Sequence, residues 1–208
     1  MTETAERVPG TRPAGPAHAT RRRRSGALEW VAVILVALIG ALLLHAFVVT
    51  AYFIPSGSME PTIKPGDRVL VDRLSYDLHG VHAGDVVVFA KPADDDDPGV
   101  RDLIKRVIGL PGERIRSGPG GEILVGGRPL RQPWLTRSAE AHAGPPICSI
   151  NRTDCIGSTL VLPAGEYYMM GDNRGDSEDS RYFGPVSRSL IVGRAFVRIW
   201  PLSRLHWF

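Results

Sequence analysis

The sequence predicts a mainly β protein with a single N-terminal transmembrane helix, an antiparallel β-sheet domain and a smaller inserted β/loop subdomain. One long apolar run without charged residues lies near the N-terminus. Beyond Pro55 no long segment keeps a helical period, and short β-branched runs alternate with turns rich in Gly, Pro and Asp. That alternation is typical of antiparallel sandwiches and partly open barrels. The predicted strands are Arg68–Asp72, Asp85–Phe89, Leu103–Ile108, Glu122–Val125, Thr159–Leu162, Glu166–Met170 and Val192–Ile199.

The composition and the distribution of charge exclude several classes of protein. With 43% hydrophobic and 23% charged residues, the chain is neither wholly disordered nor a multi-span membrane protein. Residues 1–50 carry six Arg against three acidic residues, which accounts for the whole net charge of +3. The remaining residues carry equal numbers of basic and acidic side chains. They lack the basic excess of a nucleic-acid-binding surface, so no nucleic-acid partner is expected.

Residues 1–25 are predicted to form a disordered cytoplasmic tail. They are rich in Pro, Ala, Thr and Arg and contain few large apolar side chains. Such a segment buries too little apolar surface to offset the entropy of ordering.

Residues 26–50 are predicted to form a transmembrane helix. Trp30 to Val49 is a run of 20 residues without a charged side chain, and about 20 residues span a hydrocarbon core of roughly 30 Å. A cleavable signal peptide has a shorter apolar region, and a buried core helix would show a polar face. Because Arg21 to Arg24 precede the run, the positive-inside rule predicts a cytoplasmic N-terminus and an extracytoplasmic domain over residues 51–208.

Residues 117–158 are predicted to form the inserted subdomain, because they are richer in Gly, Pro and Arg and poorer in strand patterns than their surroundings. They contain the only cysteines, Cys148 and Cys155, with six residues between them. Outside the cytoplasm a disulfide that closes a small loop is favoured, with free thiols as the alternative. Two Cys at this spacing are too few ligands for a metal site.

Lysine is scarce in this chain, which has 22 Arg but only Lys64, Lys91 and Lys105. Arg stays protonated, whereas a desolvated Lys can lose its proton and act as a base. Lys105 lies in the apolar, strand-like segment Leu103–Ile108. If its face of the strand is buried, Lys105 is a candidate base. A strand lysine that extends its amine to solvent is the alternative.

Ser58 is the candidate nucleophile, because a neutral lysine can activate a serine hydroxyl. It follows the apolar run directly, and Pro55 and Pro61 stiffen the segment on either side. A Ser-rich linker between helix and domain remains an alternative.

Four segments, in this order, resemble those of bacterial type I signal peptidases. The resemblance covers Ile54 to Trp200 apart from residues 117–158, and four matches in order make it specific. The segments are Ser56-Gly57-Ser58-Met59-Glu60-Pro61-Thr62, Gly66-Asp67-Arg68-Val69-Leu70-Val71, Lys105-Arg106-Val107-Ile108-Gly109-Leu110-Pro111-Gly112-Glu113 and Gly171-Asp172-Asn173-Arg174-Gly175-Asp176-Ser177-Glu178-Asp179-Ser180-Arg181.

This resemblance implies a Ser-Lys dyad that needs no His, Asp, metal or cofactor. Ser58 would be the nucleophile and Lys105 the general base. The Ser56 hydroxyl and the Ser58 N–H would form the oxyanion hole. The remaining implied roles are orientation of the lysine by Ser177, structural support by Arg106, Asp179 and Arg181, and substrate pockets lined by Tyr52, Ile54, Ile63 and Ile104.

The function expected from this resemblance is that of a membrane-anchored serine endopeptidase. It would remove signal peptides from secreted and membrane precursors at the plasma membrane, in contact with the bilayer and close to the export machinery. Two alternatives remain: a membrane-tethered all-β binding module without catalysis, and a self-cleaving Ser-Lys protease. Gly175 and Glu60 depart from the commonest family pattern, but neither is part of the dyad.

Overall fold

The structure, a computed structural model, describes residues 26–92, 101–135, 144–148 and 155–208; within the first helix the side chains of residues 27, 28 and 43–47 are not described. This helix, α1, spans Gly26–Val48 and is followed at once by strand β1, Val49–Phe53. Among the described residues no helix is long and apolar enough to cross a membrane. The predicted 26–50 helix therefore ends two residues early, and its role as a membrane span is taken up below as a proposal.

The larger of two sheets is antiparallel and carries the candidate catalytic residues. Among the described residues it has eight strands, in the spatial order β1-β2-β12-β3-β4-β10-β11, with β13 paired to β12. The strands other than β1 are β2 Arg68–Asp72, β3 Val86–Ala90, β4 Asp102–Gly109, β10 Glu166–Met170, β11 Val186–Ser187, β12 Ile191–Trp200 and β13 His206–Trp207.

The smaller sheet is built from the part of the chain that includes the predicted 117–158 insertion. Its strand order is β7-β6-β5-β9-β8 among the described residues. All its pairings are antiparallel. The strands are β5 Arg114–Ser117, β6 Ile123–Val125, β7 Arg128–Pro129, β8 Cys155–Ile156 and β9 Thr159–Val161.

The described helices that follow β1 are short. Helix α2 spans Ser75–Leu78 and α3 spans Ser180–Phe183, and 3₁₀ turns occupy Arg188–Leu190 and Leu202–Arg204. The mainly antiparallel β architecture expected from the turn pattern is thus confirmed. Each of the seven predicted strands is present, with ends that differ by no more than one residue.

The strands that the sequence pattern did not predict are those with the weakest local signal. Strand β1 continues the apolar run of α1 without a break in composition, so nothing in the sequence separates helix from strand there. Strands β7, β8, β11 and β13 have two residues each, too few for alternation to be visible. Strand β5 has four residues, of which only Ile115 is apolar. Their pairing depends on contacts across the sheets.

Three apolar clusters form the core. The first joins the segment after β1 to the large sheet through Ile54, Met59 and Ile63, which are at most 2% exposed. The second packs α3 and β11 against β3, β4 and β10. The third joins the small sheet to β10 through Ile115, Leu160 and Tyr168, all fully buried. The candidate nucleophile therefore stands on a segment anchored in the first cluster.

Candidate active site

Ser58 and Lys105, far apart in sequence, meet in the structure. The Nζ of Lys105 donates a 2.7 Å hydrogen bond to the Oγ of Ser58. Ser58 lies in the loop between β1 and β2, and Lys105 lies in the middle of β4. Lys105 is only 3% exposed and Ser58 is 9% exposed. A desolvated amine at this distance is in position to take the serine proton.

The loop that carries Ser58 is fixed at both ends by backbone hydrogen bonds. The N–H of Ile54 donates to the carbonyl of Asp67 over 3.0 Å, and the N–H of Gly66 donates to the carbonyl of Ile54 over 2.9 Å. Between these bonds the completely buried side chain of Met59 anchors the residue next to Ser58. Ser58 is therefore held in place by its neighbours although it lies in a loop.

The segment after β10 packs directly beneath Ser58. The backbone N–H of Asn173 donates to the carbonyl of Ser58, and its side-chain Nδ2 donates to the carbonyl of Gly57, both over 3.1 Å. At Gly171 a Cβ would collide with the carbonyl of Ser58 and the hydroxyl of Ser177. Only glycine allows this close approach. The sequence analysis quoted Asn173 and Gly171 in a motif but gave them no role.

Two further serines with predicted roles lie beside the dyad. Ser56 Oγ donates to Ser58 Oγ over 3.4 Å and is exposed towards solvent. Ser177 is 3% exposed and its Oγ has no hydrogen-bond partner in the described part of the chain. Its hydroxyl lies against the same glycine as the carbonyl of Ser58. Ser177 is thus adjacent to the nucleophile segment, and no hydrogen bond joins it to Lys105.

Asp179 and Arg181 form a buried bidentate ion pair. Nε and Nη2 of Arg181 each donate to one carboxylate oxygen of Asp179 over 2.8 Å. Asp179 also accepts from the N–H of Gly171 over 3.0 Å and caps α3 by accepting from the N–H of Arg181. Burial alone would lower the pKa of Arg181, but Asp179 outweighs it and raises that pKa. The pair connects α3 to the segment beneath Ser58.

Arg106, next to the candidate base, makes a second buried pair. Its Nε and Nη2 donate to the two carboxylate oxygens of Asp172 over 2.9 and 2.7 Å. Nη1 donates to the carbonyl of Gly84, and the ring of Trp134 covers the guanidinium at 4.5 Å. Asp172 also accepts from the hydroxyl of Thr62 over 2.6 Å. This network joins β4, the Ser58 loop and the segment after β10, and the sequence analysis missed Asp172 and Thr62.

The residues expected to line substrate pockets belong to one apolar region. Ile54, Ile63 and Ile104 are buried in the first cluster, and Tyr52 packs against it. A cavity of about 240 Å³ opens beside the dyad, and of these four residues only Ile104 contributes to its lining. The rest of its wall is formed by Pro55, Ser56, Ser58, Lys91, Asp102, Leu103, Lys105, Asp176 and Glu178.

Acidic side chains surround this cavity. Asp102, Asp176 and Glu178 contribute to its wall, and all three are exposed. Burial raises the pKa of Tyr52, and the neighbouring carboxylate of Asp102, which accepts a hydrogen bond from the tyrosine hydroxyl, raises it further. The entrance to the dyad is therefore more negative than the domain as a whole.

Cys148 and Cys155 are joined by a disulfide, with their Cα atoms 6.0 Å apart. Both side chains pack against the third cluster. In the described ranges no three His, Cys, Asp or Glu side chains are grouped so that they could hold a metal ion.

A serine hydroxyl hydrogen-bonded to a buried lysine amine is the arrangement of serine hydrolases that use lysine as the base. In the part of the chain that the structure describes, two buried Arg–Asp pairs brace the segments around these two residues.

The chain belongs to the family described as signal peptidase, peptidase S26, whose model matches residues 27–200. It is 35% identical over 206 residues to signal peptidase I of Leptolyngbya laminosa, covering 98% of this chain and 94% of that protein. It is 34% identical over 184 residues to signal peptidase IB of Staphylococcus aureus strain MRSA252, covering 86% and 93%. The resemblance predicted from the four sequence segments is confirmed.

Among solved structures, a signal peptidase I from Enterococcus faecalis V583 is similar, with 29% sequence identity and a TM-score of 0.41. The match covers 56% of this chain and 97% of that one.

Proposed function

We propose that this protein is a membrane-anchored serine endopeptidase that removes N-terminal signal peptides from secreted and membrane precursor proteins. The observation that carries the proposal is the 2.7 Å hydrogen bond between Lys105 Nζ and Ser58 Oγ in a chain of the signal peptidase family. Substrate and reaction class come from the relatives, which are named signal peptidases. The same hydrogen bond supports Ser58 as nucleophile and Lys105 as base, the roles that the family resemblance implied.

The reaction begins when neutral Lys105 accepts the proton of Ser58 as the serine oxygen attacks the scissile carbonyl. The negative oxygen of the tetrahedral intermediate is stabilised by the Ser58 N–H and the Ser56 hydroxyl. Collapse breaks the peptide bond, and Lys105 gives its proton to the leaving amine. Lys105, now neutral again, deprotonates a water molecule, which then hydrolyses the ester and restores the free serine.

The proposed supporting residues act through position and not through contact with substrate. Asp179 and Arg181 hold the segment that contains Gly171 beneath Ser58. Arg106 holds Asp172 in the same segment. Ser177, whose hydroxyl has no partner in the described residues, would orient Lys105 once substrate changes the dyad geometry.

Substrate would bind along the cavity beside the dyad. Ile104 forms part of its wall, and Ile54, Ile63 and Tyr52 lie in the apolar cluster behind it. Small apolar side chains one and three residues before the cut would pack on this surface. Tight apolar walls discriminate by size, at about 1–3 kcal/mol for each methylene.

Residues 26–50 would anchor the protein in the plasma membrane, with residues 1–25 in the cytoplasm and 51–208 outside as the catalytic domain. The described large apolar side chains of α1, from Trp30 to Leu42, are 48–70% exposed, as expected of a surface that faces lipid. The four arginines before the helix support this orientation. Residues 117–158 would be the inserted subdomain. The whole protein would be in contact with the bilayer and close to the export machinery.

The test is cleavage of a signal-peptide-bearing precursor by the detergent-solubilised full chain, with the cut located by mass spectrometry. Ser58→Ala and Lys105→Met should each abolish cleavage. The matched controls, Ser189→Ala and Lys64→Met, change exposed residues that do not line the cavity beside the dyad and should cleave normally. If the wild type does not cleave, or if both dyad variants do, the proposed function is wrong.

A further inference from the structure

A second cavity, of about 370 Å³, lies within the domain away from the dyad. Its lining shares no residue with that of the cavity beside Ser58. It lies between the small sheet and the segment after β10, and this volume is within the range of small-molecule sites, about 300–1,000 Å³. The proposed catalytic cycle makes no use of it.

Arg174 brings a buried positive charge to this cavity. It is 4% exposed, and its Nε donates to the carbonyl of Gly171 over 2.9 Å. Its Nη2 donates to the side-chain oxygen of Gln132. Nη1 makes no hydrogen bond, and the residue forms no ion pair, with any residue in the described ranges. One donor on a buried cation is therefore available to a ligand.

The neighbouring charges are already paired, so they do not neutralise Arg174. Asp179 is held in the bidentate pair with Arg181, and Asp172 in the pair with Arg106. Burial lowers the pKa of Arg174 to about 10; Asp172 and Asp179 oppose this effect, and Arg181 and Arg106 add to it. Leaving a buried cation without a counter-charge is costly, and a bound anion would remove that cost.

Arg181 adds to the positive potential on this wall. Its Nη1 is buried and has no hydrogen-bond acceptor among the described residues. Gly144 packs against that nitrogen so closely that a Cβ there would collide with it. Two guanidinium groups thus converge on one side of the cavity.

Four apolar side chains form part of the remaining wall. Ile123, Ile147 and Met170 are at most 4% exposed, and Leu130 completes the surface. We propose that the cavity binds a small organic carboxylate, with its oxygens on Arg174 and its apolar body against these four side chains. Glu122, an exposed residue of the lining, opposes carboxylate binding by charge repulsion.

Benzoate is the probe, and the uncharged molecule benzamide, of the same shape, is its control. Both are titrated into the full chain in detergent while the thermal unfolding midpoint is recorded. Benzoate should raise the midpoint in a saturable way and benzamide should not. Arg174→Gln should weaken benzoate binding about tenfold or more, because it removes a charged hydrogen-bond donor. Arg114→Gln, an exposed arginine on β5, should not change it.

Two further variants decide the matter if Arg174→Gln does not fold. Leu130→Trp fills the cavity without changing charge and should abolish the benzoate effect. Glu122→Gln removes the repulsive charge and should tighten binding. The proposal is overturned if benzoate and benzamide act alike, if Leu130→Trp still responds, or if inorganic phosphate binds and benzoate does not. None of these readouts depends on precursor cleavage.

Discussion

Gly171 lies against the carbonyl of Ser58 with no room for a side chain between them. The nucleophile segment therefore rests on bare backbone, and the hydrogen bond from the Gly171 N–H to Asp179 fixes that backbone. The position of Ser58 thus depends on contact with the backbone of Gly171, a residue that takes no part in the chemistry.

We expect Gly171→Ala to displace Ser58 and to lower the cleavage rate strongly. Its effect on the free energy of unfolding should be modest. Overpacking of this kind typically costs about 1–3 kcal/mol in folding free energy, while a misplacement of about 1 Å can cost a hundredfold in rate. Gly80→Ala is the control, since a Cβ there meets nothing within 4 Å. Cleavage assays and thermal unfolding on both variants test this. Full activity in Gly171→Ala would contradict the structural argument.

Lys105→Arg separates the charge of the base from its ability to lose a proton. Arginine keeps the positive charge but does not deprotonate in proteins, so it cannot accept the proton of Ser58. The cleavage rate should fall by about a hundredfold to ten-thousandfold, the usual contribution of a general base. Lys64→Arg, at an exposed site, should leave the rate unchanged. A Lys105→Arg enzyme that cleaves normally would rule out lysine as the base.

Substitutions of Arg106 and of Asp172 should have strongly coupled effects on the free energy of unfolding. Arg106→Met leaves the fully buried carboxylate of Asp172 without its charged partner and should cost about 3–5 kcal/mol. Adding Asp172→Leu to that variant should recover much of the loss. Chemical denaturation measures both effects. The partly exposed pair between Arg194 and Asp85, with side chains 41% and 10% exposed, is the comparison, and Arg194→Gln should cost no more than about 1 kcal/mol. Additive losses for Arg106 and Asp172 would contradict the coupling.

Asp72 should make the free energy of unfolding depend on pH. Burial alone would raise its pKa, but hydrogen bonds from Ser75 and Leu74 outweigh this effect and lower the pKa below 3.8. A carboxylate with a lowered folded-state pKa stabilises the protein above its unfolded pKa, and the stabilisation is lost as the pH falls through the folded pKa. The difference in unfolding free energy between wild type and Asp72→Asn should therefore narrow below about pH 4. A difference that grows on acidification would have the wrong sign.

Removal of the Cys148–Cys155 disulfide should destabilise the small sheet. The chain-entropy estimate for a loop of about eight residues is roughly 2.5 kcal/mol. The double variant Cys148→Ser/Cys155→Ser should lose about that much unfolding free energy, and the wild type in reducing agent should match it. Unchanged stability in both would show that the bond contributes little to the fold.

Ser58 and Lys105 were candidates from the sequence because lysine is scarce and Ser58 follows an apolar run in a Pro- and Gly-punctuated segment, and the family resemblance implied their roles. Each is a local property of the chain. The role of Asp172 was not predictable, since its partners Arg106 and Thr62 are distant in sequence and converge only when β4 and β10 pair. The charge of Arg174 likewise becomes unusual only after neighbouring carboxylates have taken other partners.

Strand β12 connects the two parts of the large sheet that carry Ser58 and Lys105. Ser58 belongs to the β1–β2 half of the large sheet and Lys105 to the β3–β4 half, and β12 is the strand that pairs with both β2 and β3. The two candidate catalytic residues are therefore joined through β12, which follows both of them in the chain. Until Ile191–Trp200 takes its place between β2 and β3, the two parts of the large sheet that carry Ser58 and Lys105 lack the strand that connects them.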